Sequence, residues 1–247
     1  GFLLVLASAP AALSAQSVKG TEAFELVSGV PGNGSCPSIS ADGRFVAFRS
    51  NVGGSVHLFV RDRQSATTTK LASTDGLIGG YDCPRISADG GFITFFGPAA
   101  PVAPGGSDDP TQGDIFVVNR VTAEVERVSV DSNGRRGDGL SNDPSISADG
   151  RVIAFVSDSP HLVAGDGNSA PDVFVRDRET NTTELISVDS SGVQGNAASS
   201  TPSISGDGRF VAFSSDATNL VPRDRNRRWD VFVRDRLEKK TEIVSIG

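Results

Sequence analysis

The stretch Pro202-Ser203-Ile204-Ser205-Gly206-Asp207-Gly208-Arg209-Phe210-Val211-Ala212-Phe213, followed after a loop by Asp230-Val231-Phe232-Val233-Arg234-Asp235-Arg236, decides the fold of this 247-residue chain. The chain states it four times. Earlier copies of the first half begin at Pro37, Pro84 and Pro144, with the turn aspartates Asp42, Asp89 and Asp149. The second half returns as Leu58–Arg63, Ile115–Arg120 and Val173–Arg178. Fourfold self-similarity of this length marks a repeat architecture.

Each copy reads as four short strands. Strand a is the Pro-Ser-Ile-Ser segment. The Asp-Gly that follows predicts a tight hairpin with a primed turn, where glycine supplies the positive φ. Strand b (Phe45–Phe48, Phe92–Phe95, Val152–Phe155, Phe210–Phe213) is apolar on both faces. A strand of that kind is covered from both sides. Strand c is the Val-Phe-Val-Arg-Asp-Arg segment. Strand d is placed at Lys70–Ser73, Glu126–Ser129, Glu184–Ser187 and Glu242–Ser245. Four antiparallel strands per unit, apolar on both faces, are the requirement of a β-propeller blade. The reading is therefore all-β: a β-propeller of four blades, at about 36–73, 83–130, 143–188 and 201–246, within residues 16–247. The 28 Gly, 13 Pro and 37% hydrophobic content suit short strands joined by many turns.

Ser40-Ala41-Asp42-Gly43-Arg44-Phe45-Val46-Ala47-Phe48, with the later Asp172-Val173-Phe174-Val175-Arg176-Asp177 type of strand, resembles the WD40-like propeller repeat of TolB-type proteins. The resemblance covers about residues 25–247. It implies an exported propeller of the six-bladed type that binds other proteins, usually without catalysis. TolB proteins also carry a small α/β domain ahead of the propeller, and nothing in this sequence matches it.

The first residues differ in kind. Gly1–Leu6 is apolar and Ala7–Ala15 is rich in small residues. Residues 1–15 read as the remnant of a secretory signal peptide, too short to span a bilayer. Export to the periplasm or the extracellular space is the expected location. The chain holds no Met, so the reading expects a truncated N-terminus. Residues 24–28 read as one outer strand more than four blades need. Two arrangements account for it: part of a larger ring of six to eight blades, or a closed ring of four with that strand as a clasp.

Four sets of residues are candidates for chemistry. In the b–c loops, Asp166-x-Asn168-x-x-x-Asp172 and Asp224-x-Asn226-x-x-x-Asp230 share a pattern of hard oxygens. Calcium takes six to eight such ligands. The alternative is a loop held by Asx-type bonds, with Asp114, Asp172 and Asp230 as brackets within the blade. Cys36 and Cys83 precede the proline of strand a in consecutive blades, a placement compatible with a disulfide in an oxidising compartment. At the mouth of the central channel, Tyr81, Asp82, Arg85, Asn142, Asp143 and Thr201 approach strand a. They would hold a small ligand or peptide, or simply line a wet polar opening. The repeated Arg-Asp-Arg runs read as exposed charge pairs along the c–d turn, worth about 0–1 kcal/mol each.

Excluded classes narrow the function. The net charge of −7 opposes nucleic-acid binding. The basic cluster at 223–228 is interleaved with Asp224 and reads as a solvated loop. There is no membrane-spanning stretch, no G-x-S-x-G elbow and no H-E-x-x-H. His57 and His161 stand in non-equivalent loops with no nucleophile beside them in the pattern. No cofactor is expected beyond the calcium alternative. The leading expectation is a non-catalytic, exported scaffold for protein partners or the cell envelope. Two alternatives stand beside it: the propeller portion of a prolyl oligopeptidase-like hydrolase, and a calcium-dependent adhesion or carbohydrate module.

Overall fold

The computed structural model describes residues 30, 32–71, 82–98, 113–222, 224 and 228–245. The signal-peptide expectation at 1–15, the extra strand at 24–28, Tyr81 and Asn226 lie outside them. The described residues form sixteen strands in four antiparallel sheets and no helix. The first sheet is β1 (Asn33–Ile39), β2 (Phe45–Val52), β3 (Ser55–Asp62) and β4 (Thr67–Lys70). The second is β5 (Arg85–Ile86), β6 (Phe92–Pro98), β7 (Gly113–Asn119) and β8 (Val125–Arg127). The third is β9 (Ser141–Ile146), β10 (Val152–Ser157), β11 (Asp172–Asp177) and β12 (Thr182–Leu185). The fourth is β13 (Ser199–Ile204), β14 (Phe210–Ser215), β15 (Asp230–Asp235) and β16 (Lys240–Ile243). Each sheet is a meander in chain order, one blade of a propeller.

Three buried clusters lie between successive blades. Phe45, Ala47, Leu58 and Val60 meet Ile93, Phe95, Phe116 and Val118 of the second blade. Ile115, Val117 and Val128 meet Ile153, Phe155 and Phe174 of the third. Val152, Ala154, Val156, Val173 and Val175 meet Val211, Phe213 and Phe232 of the fourth. Within every blade the central phenylalanines of strands b and c stack, with ring centroids 5.5–5.9 Å apart. In the third blade both central strands are buried throughout, as a doubly apolar strand demands.

Two local expectations are corrected. The a–b turn is not a primed hairpin. Gly43 N donates to Ser40 O at 2.9 Å, and only the glycine has positive φ, 71° at Gly43. This is a type I turn followed by a left-handed glycine. The aspartate instead ties the turn to its flanks. Asp42 Oδ1 accepts from Ser40 Oγ (2.6 Å) and Arg44 N (2.9 Å), while Ser40 Oγ accepts from Phe45 N. The same triangle recurs at Asp89, Asp149 and Asp207. Strand d also ends earlier than its sequence placement. Val128 N and Ser129 N both point at Ile115 O, at 2.7 and 3.4 Å, which closes the ladder.

Candidate functional site

The inner strands turn through a bulge at one end, and equivalent residues there hold left-handed backbone: Cys36 (φ 55°), Asp143 (φ 53°) and Thr201 (φ 50°). For a β-branched residue such as Thr201 that conformation is strained, by about 1–2 kcal/mol. The blades are joined at this level, each to the next. Cys36 and Cys83 are bonded as a disulfide with Cα atoms 4.9 Å apart. Asp82 Oδ2 accepts from Asp143 N at 2.7 Å, and the Thr201 backbone lies close enough to favour the charged form of the Asp143 carboxylate. One covalent link and one carboxylate–amide link thus follow one another around the axis, with the Thr201 backbone next in line beside Asp143.

The channel-mouth candidates Asp82, Asp143 and Thr201 therefore come together as a chain of inter-blade links. Asn142 pairs in the β9–β10 ladder opposite Val156. Arg85 sits on the short inner strand β5 and its charge reaches Asp143. Burial raises the Asp143 pKa and the neighbouring Asp82 charge adds to that, while Arg85 opposes it. Arg49 Nη1 donates to Asp82 O at 3.1 Å, a further tie from the first blade to the second.

The b–c loop of the third blade is closed by amides. Asn168 Nδ2 donates to Asp172 Oδ2 (2.9 Å) and Gly195 O (2.9 Å), and Gln194 Nε2 donates to both Asp166 Oδ1 and Asp172 Oδ2 at 2.7 Å. Among the described residues no group of three or more His, Cys, Asp or Glu side chains converges as a metal site. Burial raises the Asp172 pKa, against the hydrogen bonds of Ser187, Gln194 and Asn168. In the fourth blade Asp224 and Asp230 are described, and Asp230 Oδ1 accepts from Ser245 Oγ at 2.6 Å. The same bracket holds Asp114 to Ser129 and Asp172 to Ser187, always across a separation of 15 residues. In the second blade Asp114 is fully buried and paired with Arg127 (3.4 Å) and Arg136 (2.9 Å).

In the first blade Asp62 pairs with Arg44 in an exposed ion pair, as expected, but in the third and fourth blades the Arg-Asp-Arg runs are half-buried. Asp177 takes a bidentate pair from Arg151, and Asp235 from Arg209, within the blade. These arginines hold the two carboxyls down to a pKa of about 2. In the third and fourth blades the first arginine of the run is buried and reaches backward: Arg176 Nη1 donates to Asp131 O (3.1 Å) and Arg234 Nη1 to Asp189 O (2.9 Å), each across 45 residues. The third also crosses the interface, Arg178 to Glu126 (2.8 Å) and Arg236 to Glu184 (3.2 Å), each across 52 residues. Thr183 and Thr241 donate to Val130 O and Val188 O across 53. Desolvation makes buried cations expensive unless bonded, so these side chains fix blade against blade.

A cluster that sequence spacing does not reveal is Ser159–Asp138–His161. Ser159 Oγ donates to Asp138 Oδ1 at 2.9 Å, and His161 Nδ1 lies 2.8 Å from Asp138 Oδ2. The hydroxyl faces the carboxylate rather than the imidazole, and Ser159 is fully buried. A nucleophile requires the base beside it and access for a substrate. Burial raises the Asp138 pKa, but the Ser159 and His161 bonds bring it below the usual value. In the next blade Ala217, Asn196 and Asn219 occupy the equivalent places, and Asn196 N donates to Asn219 Oδ1 at 2.8 Å. Both sets latch the inter-blade connector to the b–c loop.

The fold and its inter-blade links define a TolB-like β-propeller. TolB from Acinetobacter baumannii superposes with a TM-score of 0.54 at 18% identity, covering 86% of this chain and 43% of that one. The β-propeller domain of the trilobed protease from Pyrococcus furiosus, described as an open velcro topology, gives 0.54 at 13% identity over 87% of this chain and 57% of that one. An oligogalacturonate lyase in complex with manganese gives 0.54 at 13% identity over 85% and 51%. The chain thus spans about half the length of these structures. No protein-family model and no curated protein sequence matches it. No helix among the described residues is long and apolar enough to cross a membrane.

Proposed function

We propose that this chain is a non-catalytic, exported propeller that acts as a binding scaffold for protein partners. The observation that carries the reading is the fate of the Ser–Asp–His cluster. Its hydroxyl is buried against a carboxylate, and the neighbouring blade performs the same latching with Ala217, Asn196 and Asn219. A reaction centre is not expected to recur as a structural bracket in the next repeat. The strained bulges at the channel mouth favour that end as the contact surface, since strain of this kind collects at binding sites.

The test places a photo-crosslinking residue at Asn142, in the mouth, and at Glu179, on the outer c–d turn, in the producing cell. Discrete protein adducts at position 142 but not at 179 support the scaffold. Covalent labelling by a fluorophosphonate probe that disappears in Ser159→Ala would refute it. A second reading, a propeller flanking a hydrolase domain, draws on the likeness to the trilobed protease propeller. In that case the adduct at position 142 would be a fragment of the same gene product.

A further inference from the structure

The bulge in the inner strand of the third blade sets Asp143 directly before Pro144. The register of β9 against β10 passes from Asn142↔Val156 to Ser145↔Ala154 and skips both residues. Asp143 holds φ 53°. A residue before proline is driven toward extended backbone, and left-handed backbone strains any residue with a Cβ. The peptide bond between the two thus adjoins stored strain, which collects where the chain is to react or to bind. The same conformation recurs at Cys36 before Pro37 and at Thr201 before Pro202, so side-chain chemistry decides which of these bonds is labile.

Attack by a Cys thiol or a Thr hydroxyl on its own carbonyl carbon closes a strained four-membered ring. An Asp carboxyl closes a five-membered one, through Oδ, Cγ, Cβ, Cα and C. An intramolecular attack of that kind gains most where the backbone is held in one geometry. Proline contributes twice. It has no N–H, so the competing attack of the next amide nitrogen on the side chain is shut, and its nitrogen departs as a secondary amine. The surroundings keep the carboxyl protonated to milder acid than usual. Burial is the main cause that raises the Asp143 pKa, and the charge of Asp82, from the connector ahead of β5, adds to it. Arg85 on β5 and the Thr201 backbone on β13 act the other way, while Arg49 of the first blade is bonded to the Asp82 carbonyl. Asp82 Oδ2 also takes the Asp143 N–H at 2.7 Å, which pins the residue on the side away from Pro144.

We propose that Asp143–Pro144 is a self-cleavage site, at which the carboxyl group of Asp143 breaks its own peptide bond to Pro144 in mild acid. The carboxyl oxygen attacks the Asp143 carbonyl carbon, and the C–N bond to Pro144 breaks. The carboxyl proton passes to the proline nitrogen. The cyclic anhydride left on Asp143 takes up one water and opens to two carboxyl groups. The products are residues 1–143, ending in that aspartate, and residues 144–247, beginning with the proline amine.

The test incubates the full chain at about pH 5, where Asp177 and Asp235 remain ionised, with and without concentrated urea. Mass spectrometry follows the fragment that begins at Pro144. Fragments that begin at Pro110, after the other Asp-Pro pair of the chain, are counted separately. The Pro144 fragment should form at least about fivefold faster in the folded chain than in urea, the gain that relief of left-handed strain yields. Asp143→Thr brings in the residue that the fourth blade holds in the same conformation, so it should keep the fold and give no Pro144 fragment. Asp82→Asn keeps an acceptor for the Asp143 N–H and removes the charge, so the pH profile of cleavage should move toward lower pH. A Pro144 fragment that forms no faster in the folded chain than in urea overturns the proposal. A fragment that persists in Asp143→Thr also overturns it, because the cut then belongs to a contaminating protease. A profile that does not move in Asp82→Asn separates the cut from the Asp143 carboxyl and overturns it as well.

Discussion

The disulfide at the axis can be weighed against the rest of the fold by removing it. Cys36→Ser with Cys83→Ser deletes the covalent link between the first and second blades, across a separation of 47 residues. In the chain-entropy treatment, a closed loop of that length lowers the entropy of the unfolded chain enough to stabilise the fold by about 4 kcal/mol at 25 °C. For a chain of this size each kcal/mol moves the melting temperature by roughly 2–4 °C, so a loss of about 8–16 °C is expected. The assay is urea and thermal unfolding of wild type and double mutant, each with and without a reductant. Reductant should bring the wild type down to the mutant and leave the mutant where it was. Thiol titration of the denatured, unreduced wild type should find no free cysteine. A double mutant within about 1 kcal/mol of the oxidised wild type would refute the reasoning. It would mean that the neighbouring Asp82–Asp143 link and the buried inter-blade clusters hold the axis without covalent help.

Four further outcomes follow from the same geometry. Arg176→Ala strands Asp131 O and Asn181 O in a buried interface, and should destabilise the fold by about 3–5 kcal/mol in urea titration. Arg176→Lys should restore less than half of that, since one ammonium cannot span the fork of acceptors. Gly150→Ala would set a Cβ 2.6 Å from Phe92 Cγ at φ 74° and should cost about 2–4 kcal/mol, whereas Gly134→Ala, at φ 79° with open space around it, should cost only about 1–2. Acid should unfold the protein in a defined window. Asp177 and Asp235 have folded pKa values of about 2, below the ordinary 3.8, so their contribution is present above pH 4 and lost as pH falls toward 2. Asp143 and Asp172 are shifted upward by burial, so their contribution has the opposite sign and is lost as pH rises through their folded values. Asp177→Asn should make the acid limb shallower. Finally, millimolar calcium and a chelator should give the same melting temperature, because Gln194 already bonds Asp166 and Asp172. A rise with calcium would show that the loop exchanges the amide for the ion.

Much of the architecture is legible because a blade is a local object. Strands a to d follow one another in sequence, and Phe48, Phe95, Phe155 and Phe213 announce their double burial in one short run. The a–b turn is harder to read because Asp-Gly alone does not distinguish a primed turn from a type I turn with a left-handed glycine. The deciding feature is Ser40, three residues ahead of the glycine, whose carbonyl closes the turn and whose hydroxyl ties Asp42 to Phe45 N. The end of strand d is obscured because Glu126-Arg127-Val128-Ser129 looks like a strand to its last residue. Ser129 leaves the ladder to bind Asp114. The separation of 15 between Asp114 and Ser129, repeated in two more blades, is a readable signal. The partners of Arg176 and Arg178 are not readable in this way. Those that cross the interface, Asp131 O and Glu126, come from the stretch before the third blade, and only a three-dimensional arrangement tells which carbonyl or carboxylate a long side chain will meet. The same holds for Ser159, Asp138 and His161, which come together from a connector and a loop.

The fixed separations of 45, 52 and 53 residues bear on how such a chain could change over generations. Every tie refers to the adjacent blade and to no other. Deleting or duplicating the period of the third blade would leave each remaining arginine, threonine and glutamate of these ties opposite a counterpart of the right kind. A gene of this type can therefore lengthen or shorten in whole units without redesigning any single junction, provided that the cut keeps the phase of the period.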